Sequence, residues 1–357
     1  MLEVNAHIHT PFSFSAFESI EEALGSAAAE GVKVVGINDF YTGEGYVQWQ
    51  EGCERRGLFP LFGIEFIALD KEAQAAGRRI NDPGNPGRTY ISGKGLRCPF
   101  ALPEAEAAKL RSVREASRRQ VESMCGRLNG HLRAVGAGIS LDFEEIETTL
   151  TSGQVRERHL AKALRMAAGA DASLYGRILG SPLRSDPGNA AAVENELRSR
   201  LLKAGGPAFV PEESDAFLPV DEVCRIIRAA GGIPTYPFLG DDAKGGFTDF
   251  EADLKKAAKE LWHKGLRSVE FITSRNTTAM LERYARYLED EGFIVTFGSE
   301  HNTPAMEPLR LRTRDSAELS DTLKAINWRG ACAIAAHQAG LEGPGEGERL
   351  INSILNG

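Results

Sequence analysis

The sequence predicts an α/β fold, built of βα units around a parallel sheet or barrel. Two observations carry that prediction. Seven short apolar runs read as strands, and amphipathic stretches of helical period lie between most of them. A third observation concerns chemistry: several of the runs end in residues of the kind that bind metal ions, and strand C-terminal ends are where α/β barrels place their active sites.

In chain order, the expected strands cover residues 2–8, 32–37, 59–69, 132–139, 232–236, 268–272 and 293–297. Several are rich in β-branched residues or bounded by glycine, as buried parallel strands are. Residues 20–30 read as a helix closed by Gly31. Residues 219–230 carry Asp221 and Glu222 in their first turn and stop before Gly231-Gly232. Residues 249–264 and 277–291 are long, amphipathic and each followed by glycine. Two stretches break the rhythm and read as insertions on one domain spanning residues 1–357. About 70–130 holds a polar, turn-rich loop and then a charged helix over 103–128; about 143–215 is mostly helical.

The chain has 357 residues, 42% of them hydrophobic, enough for a sizeable core, and a formal net charge of −8. That acidity argues against a general nucleic-acid binder, which carries a basic face. Five widely spaced cysteines without a C-x-x-C pair fit free thiols in a reducing compartment. No leader of secretory type and no membrane-length apolar run is seen, so a soluble, cytoplasmic protein is expected.

The chemistry begins at "NAHIHTPFSFSAF". His7 and His9 stand two apart at the end of the first run, and on a strand that spacing puts both imidazoles on one face. The second run ends in Asn38-Asp39, the third carries Glu65, and the last is followed by Glu300, His301 and Asn302. Four strand ends thus offer metal-type donors to one point. Asp39 is a candidate either to bind the ion or to orient His9 from behind. Arg275 follows the sixth run, where it could grip a phosphate or carboxylate. Lys94 and Arg88 read as a solvated loop, with a lid as the alternative. His263 and His337 belong to no constellation.

The ordered motifs "HIHTPFS", "VVGINDF", "GIEF", "GGIPTYP" and "FGSEHNTP" resemble those of the PHP (polymerase and histidinol phosphatase) domain family, over roughly residues 1–69, 131–140 and 219–305. The resemblance implies a distorted (βα)7 barrel with helical insertions and up to three divalent metals at the strand C-termini, used for phosphoester hydrolysis. It implies a first metal site of His7, His9, Glu65 and Glu300, with glutamate in place of the family's aspartate. For the second it offers His131, while the other histidine of that site is replaced by Tyr236, a pocket wall or hydrogen-bond donor rather than a ligand. The third looks lost, because its histidine places hold Ser13 or Ser15, Phe40 and Asn302; His301 sits one place early and could restore a ligand through a register change. "RERHLAKAL" resembles a phosphate-holding segment, with His159 matching its histidine and Arg156 standing in for its arginine.

The expected activity is therefore a metal-dependent hydrolase, a phosphoesterase acting on a small anionic metabolite with Mn, Fe or Zn. The alternatives are a single-metal isomerase, lyase or amide hydrolase acting on a carboxylated molecule, and a catalytically inactive PHP-like binding domain.

Overall fold

The computed structural model describes residues 1–213 and 216–356. Seven strands form one sheet in sequential order: β1 (Glu3–Ile8), β2 (Val32–Phe40), β3 (Phe59–Leu69), β4 (Arg88–Lys94), β5 (Ile233–Phe238), β6 (Ser268–Ile272) and β7 (Ile294–Gly298). All neighbours pair in parallel except β4, which runs antiparallel to both β3 and β5. The sheet curls until β1 and β7 meet at a parallel bridge between Ile8 and Glu300, giving a nearly closed barrel. The helices are α1 (Ile20–Ala29), α2 (Tyr46–Glu54), α3 (Lys71–Ala75), α4 (Glu104–Ala134), α5 (Phe143–Leu150), α6 (Glu157–Ala168), α7 (Ala172–Leu179), α8 (Ala190–Leu197), α9 (Val220–Ala229), α10 (Leu254–His263), α11 (Thr278–Asp290), α12 (Asp321–Gln338) and α13 (Gly343–Asn356).

The expected strand at 132–139 is a helix end. α4 continues to Ala134, and Gly136 and Gly138, both at positive φ, terminate it. The strand that completes the barrel is β4, inside the stretch expected to be a polar loop. Its alternation is hidden because its inward residues, Ser92 and Lys94, face a polar barrel interior rather than an apolar one.

The seam between β1 and β7 is closed by a few backbone bonds at its C-terminal end, where the His7 carbonyl accepts from the Ser299 and Glu300 N–H groups and the Glu300 carbonyl from the His9 N–H, and by side chains below. Asn327 on α12 donates to the Val4 carbonyl (3.1 Å) and accepts from the Phe297 N–H (2.8 Å), taking the place of missing ladder bonds. Gly330 lets α12 come close: a Cβ there would lie 2.0 Å from the Val295 carbonyl oxygen.

Three apolar cores result among the described residues, the smallest packing β1–β3 against α12 and α13. The barrel core joins the strands to α1, α2 and α9–α12. A second core, from Val121 to Ala208, belongs to the helices α4–α8. α4 spans both: Leu110 and Val113 pack into the barrel core, and Val121 to Leu132 into the helical one. These helices form a cap at the C-terminal end of β1, where residues 152 and 154 hydrogen-bond to the Pro11 and Phe12 carbonyls. No helix among the described residues is long and apolar enough to cross a membrane.

Candidate metal centre and anion cavity

β1 directs Asn5 and His7 inward, and His9 continues that face just past the strand end. Asn5 anchors the register by donating to Ser299 Oγ (2.7 Å) and the Leu309 carbonyl (2.9 Å). Two strands over, Glu65 rises from the middle of β3. His7 Nε2 and His9 Nε2 stand 3.2 Å apart, and Glu65 Oε2 lies 3.1 Å from His9 Nε2 and 3.6 Å from His7 Nε2. An ion held at about 2.1 Å from each donor needs donors roughly 3.0–3.4 Å apart; two of the three spacings meet this and the His7–Glu65 one is slightly wider, a group that suits a divalent metal. Glu65 Oε2 is buried without a hydrogen-bond partner among the described residues, an orphan that a cation would satisfy.

Each imidazole is held from behind through its Nδ1, which turns its Nε2 toward the common point. His7 Nδ1 lies 3.0 Å from Glu270 Oε2 on β6. His9 Nδ1 lies 3.3 Å from Ser13 Oγ, which donates to Asp39 Oδ1 (2.6 Å). The electrostatics agree. Burial alone would depress the His7 pKa, but the Glu270 carboxylate outweighs it and raises the value to about 9. Burial pushes Glu65 up, yet the two histidines win and bring it down to about 2. The nest is thus built for positive charge.

Behind it lies a group that sequence reasoning missed. Lys94, expected in a loop, is 3% exposed inside the barrel; its Nζ donates to the Ala6 carbonyl (3.0 Å) and Asn38 Oδ1 (3.1 Å) and pairs with Glu270 (2.7 Å). Glu270 had a legible signal: a glutamate in the centre of "SVEFI", where an apolar run has no use for one unless its partner is also buried.

The other expected site residues go elsewhere. Glu300 reaches the cavity but not the donor group: its carboxylate pairs with Arg275 at 2.5 Å, and its carbonyl accepts from the His9 N–H. Glu300 and His301 both adopt positive φ (66° and 60°), a turn that commits the His301 ring to Ser299 Oγ and the Glu307 carbonyl, both 2.8 Å away. His301 therefore restores no ligand. His131 lies on α4 in the cap, bonded to the Ile178 carbonyl (2.7 Å), because the strand expected to carry it to the barrel does not form. Asp39 is buried behind the loop, accepting from the Thr10 N–H, Thr10 Oγ1 and Ser13 Oγ, and so positions His9 rather than touching the cavity. His159 caps α6: its Nδ1 accepts the Arg156 N–H (2.9 Å), and its ring packs on Phe14. The Tyr236 hydroxyl donates to Glu251 Oε1 (2.9 Å). Arg88, on β4, pairs with Glu212.

Above the donors opens a cavity of about 300 Å³. Its floor includes Glu65, and Phe14, Phe40, Tyr90 and Phe238 line its walls. Four arginines reach it, Arg275 from the barrel and Arg156, Arg158 and Arg198 from the cap. Phe40 joins the two regions: His9 stacks on its ring at 5.0 Å, and the Arg156 guanidinium lies 4.9 Å from the same ring centroid. Glu157 is shared by Arg198 (2.9 Å) and Lys203 (3.0 Å). Arg158 has no carboxylate within ion-pair reach among the described residues; burial and the neighbouring Arg198 lower its pKa to about 10, which leaves it charged at neutral pH.

No family model matches the chain, and no curated protein matches it. Solved structures that share its fold include the following two. One is a presumed metal-dependent phosphoesterase from Bifidobacterium adolescentis, with TM-score 0.59 and 18% identity over 90% of this chain and 94% of that one. The other is an amidohydrolase from Chromobacterium violaceum with bound sulfate and no metal, with TM-score 0.59 and 17% identity over 91% and 96%.

Proposed function

We propose that this chain is a metal-dependent phosphoesterase acting on a small anionic molecule. The observation that carries the proposal is the stacking of two sites: three convergent donors, His7, His9 and Glu65, beneath a cavity reached by four arginines. A divalent ion held by those donors would supply Lewis-acid polarisation of a phosphoryl oxygen and an activated water. Imidazole and carboxylate donors suit manganese, iron and zinc alike. The chain's own residues do the rest. Arg158, free of any carboxylate partner among the described residues, and Arg275 hold the anion; Phe14, Phe40 and Phe238 exclude bulk water. One structural neighbour is described as a metal-dependent phosphoesterase, which supports the choice of chemistry. A cavity of about 300 Å³ suits a metabolite rather than a nucleic acid, and the free cysteines fit a cytoplasmic location.

The second reading is a single-metal hydrolase of amides. It is favoured by the donor group itself, which gathers three residues, with His131 and His301 committed elsewhere.

The test is elemental analysis beside turnover of a phosphomonoester panel with added manganese or zinc. About one ion per chain is expected, lost in His7→Ala and Glu65→Ala, together with activity lost in His9→Ala. Metal retention without phosphomonoester turnover, but with turnover of N-acyl substrates, would select the amide reading. A protein that binds no metal after reconstitution would overturn both.

A further inference from the structure

β4 pairs with β3 in antiparallel register, Ser92 opposite Glu65 and Tyr90 opposite Ile67. Directly opposed residues share a face, and so do residues two apart, so Ser92 and Tyr90 lie on the face of Glu65. That face is interior, since Ser92 Oγ accepts from Asn38. Because β4 runs against its neighbours, its N-terminal half points to the barrel mouth, and Tyr90 stands one pleat above Glu65 on the way out. Diagonal neighbours of this kind are about 7–8 Å apart at the backbone, within reach of a phenol.

Tyr90 is fixed in place. Asn81 bonds it on both sides, donating to its carbonyl (2.9 Å) and accepting from its N–H (2.8 Å), and its ring meets Phe40 edge-on at 6.3 Å. Its ring lines the cavity, yet its hydroxyl makes no hydrogen bond to any described residue. Apart from the metal donors and the arginines, most polar groups around the cavity are committed. Glu157 and Glu300 are in ion pairs, Asp82 accepts from the Gly84 and Asn85 N–H groups, and the Asn81 amide is spent on backbone. His159 is occupied as a helix cap. Tyr90 is the one neutral O–H among the described lining residues.

On the basis of the phosphoesterase reading, we propose that Tyr90 is a catalytic residue whose hydroxyl donates a proton to the departing oxygen of the ester. In that step the water oxygen forms its bond to phosphorus as the ester P–O bond breaks. The bonding pair moves to the departing oxygen, which takes the Tyr90 proton and leaves as the alcohol. The tyrosinate is reprotonated by the proton that the attacking water gives up, so ester and water become alcohol and phosphate with nothing left over. Burial, with Asp82 and Glu65 nearby, pushes the Tyr90 pKa up, which keeps the phenol protonated at neutral pH.

Proton donation matters most when the leaving group is a poor one. Tyr90→Phe keeps the ring and removes only the hydroxyl. The test compares wild type and Tyr90→Phe on p-nitrophenyl phosphate, whose phenol leaves unaided, and on glycerol 2-phosphate and other alkyl monoesters, whose alcohols do not. The expected result is a loss of about 100-fold or more in kcat/KM on the alkyl esters. Turnover of p-nitrophenyl phosphate, metal content and melting temperature should stay close to wild type. Equal losses on both ester classes, no loss on either, or loss of metal in Tyr90→Phe would overturn the assignment while leaving the phosphoesterase reading intact. A wild-type protein that hydrolyses no phosphomonoester with any added metal would overturn both.

Discussion

Glu270 holds His7 with one carboxylate oxygen and carries an ammonium partner from β4, so a histidine on β1 depends on residues from two strands far along the chain. Glu270 is fully buried and Lys94 nearly so. Removing one member of such a pair leaves an uncompensated buried charge. Lys94→Met should therefore destabilise the protein by about 3–5 kcal/mol in urea unfolding, and adding Glu270→Gln should recover part of that loss. A second residue-scale effect concerns His159. Burial holds its pKa at about 4, below the ordinary 6.5, so the folded protein prefers it neutral. Its contribution is fully present above pH 6.5 and is lost as pH falls toward 4, with a ceiling of about 3 kcal/mol. Unfolding curves at about pH 7.5, 6 and 4.5 should show a steeper loss in wild type than in His159→Gln, whose amide can still accept the Arg156 N–H.

At the scale of elements, the barrel's weakest join is the one between β1 and β7, where three backbone bonds around the Ile8–Glu300 bridge and the Asn327 amide stand in for a full ladder. Asn327→Leu would leave the Val4 carbonyl and the Phe297 N–H buried without partners, each costing about 1–3 kcal/mol. A loss of about 2–5 kcal/mol is expected in chemical denaturation. β4 shows why an element can escape notice. Its pattern "RTYISGK" alternates, but the inward side chains serve a polar interior and the strand carries glycine and lysine, so apolar periodicity passes over it. The reverse holds at 132–139, where an apolar segment with two glycines imitates a strand but is the end of a 31-residue helix and the turn that follows it. His131 goes with that helix into the cap, and only a strand at this place would have brought it near the metal donors.

At the scale of the whole molecule, the barrel core and the core of the helical cap are joined by α4, which runs through both. The arginines of the cap meet the donors of the barrel with the help of the 152–154 strap, which bonds to the loop that follows His9, and of the Arg156–Phe40 contact. Anion binding and metal binding are thereby separable. Arg156→Ala/Arg158→Ala should weaken binding of inorganic phosphate at least about tenfold in calorimetric titration, the loss of two charge-assisted contacts, with metal content unchanged. A parallel loss of metal would show instead that the cap holds the donor loop in shape.

His7, His9 and Glu65 are legible in residue order alone, because burying a period-two histidine pair and a carboxylate inside apolar runs is costly unless a shared cation or partner compensates them. So is the α/β character, since parallel strands buried on both faces read as plain apolar runs. β1, β2, β3, β5, β6 and β7 can all be located in this way. Which charged residues are buried partners, and which way each turn residue faces, depends on contacts between distant segments. Lys94 looks like any loop lysine until β4 pairs between β3 and β5, and Glu300 and His301 look like ligands until the turn after β7 takes positive φ and hands them to Arg275 and Glu307. Local sequence sets which residues can sit inside a strand; only closure of the barrel decides which of them face one another.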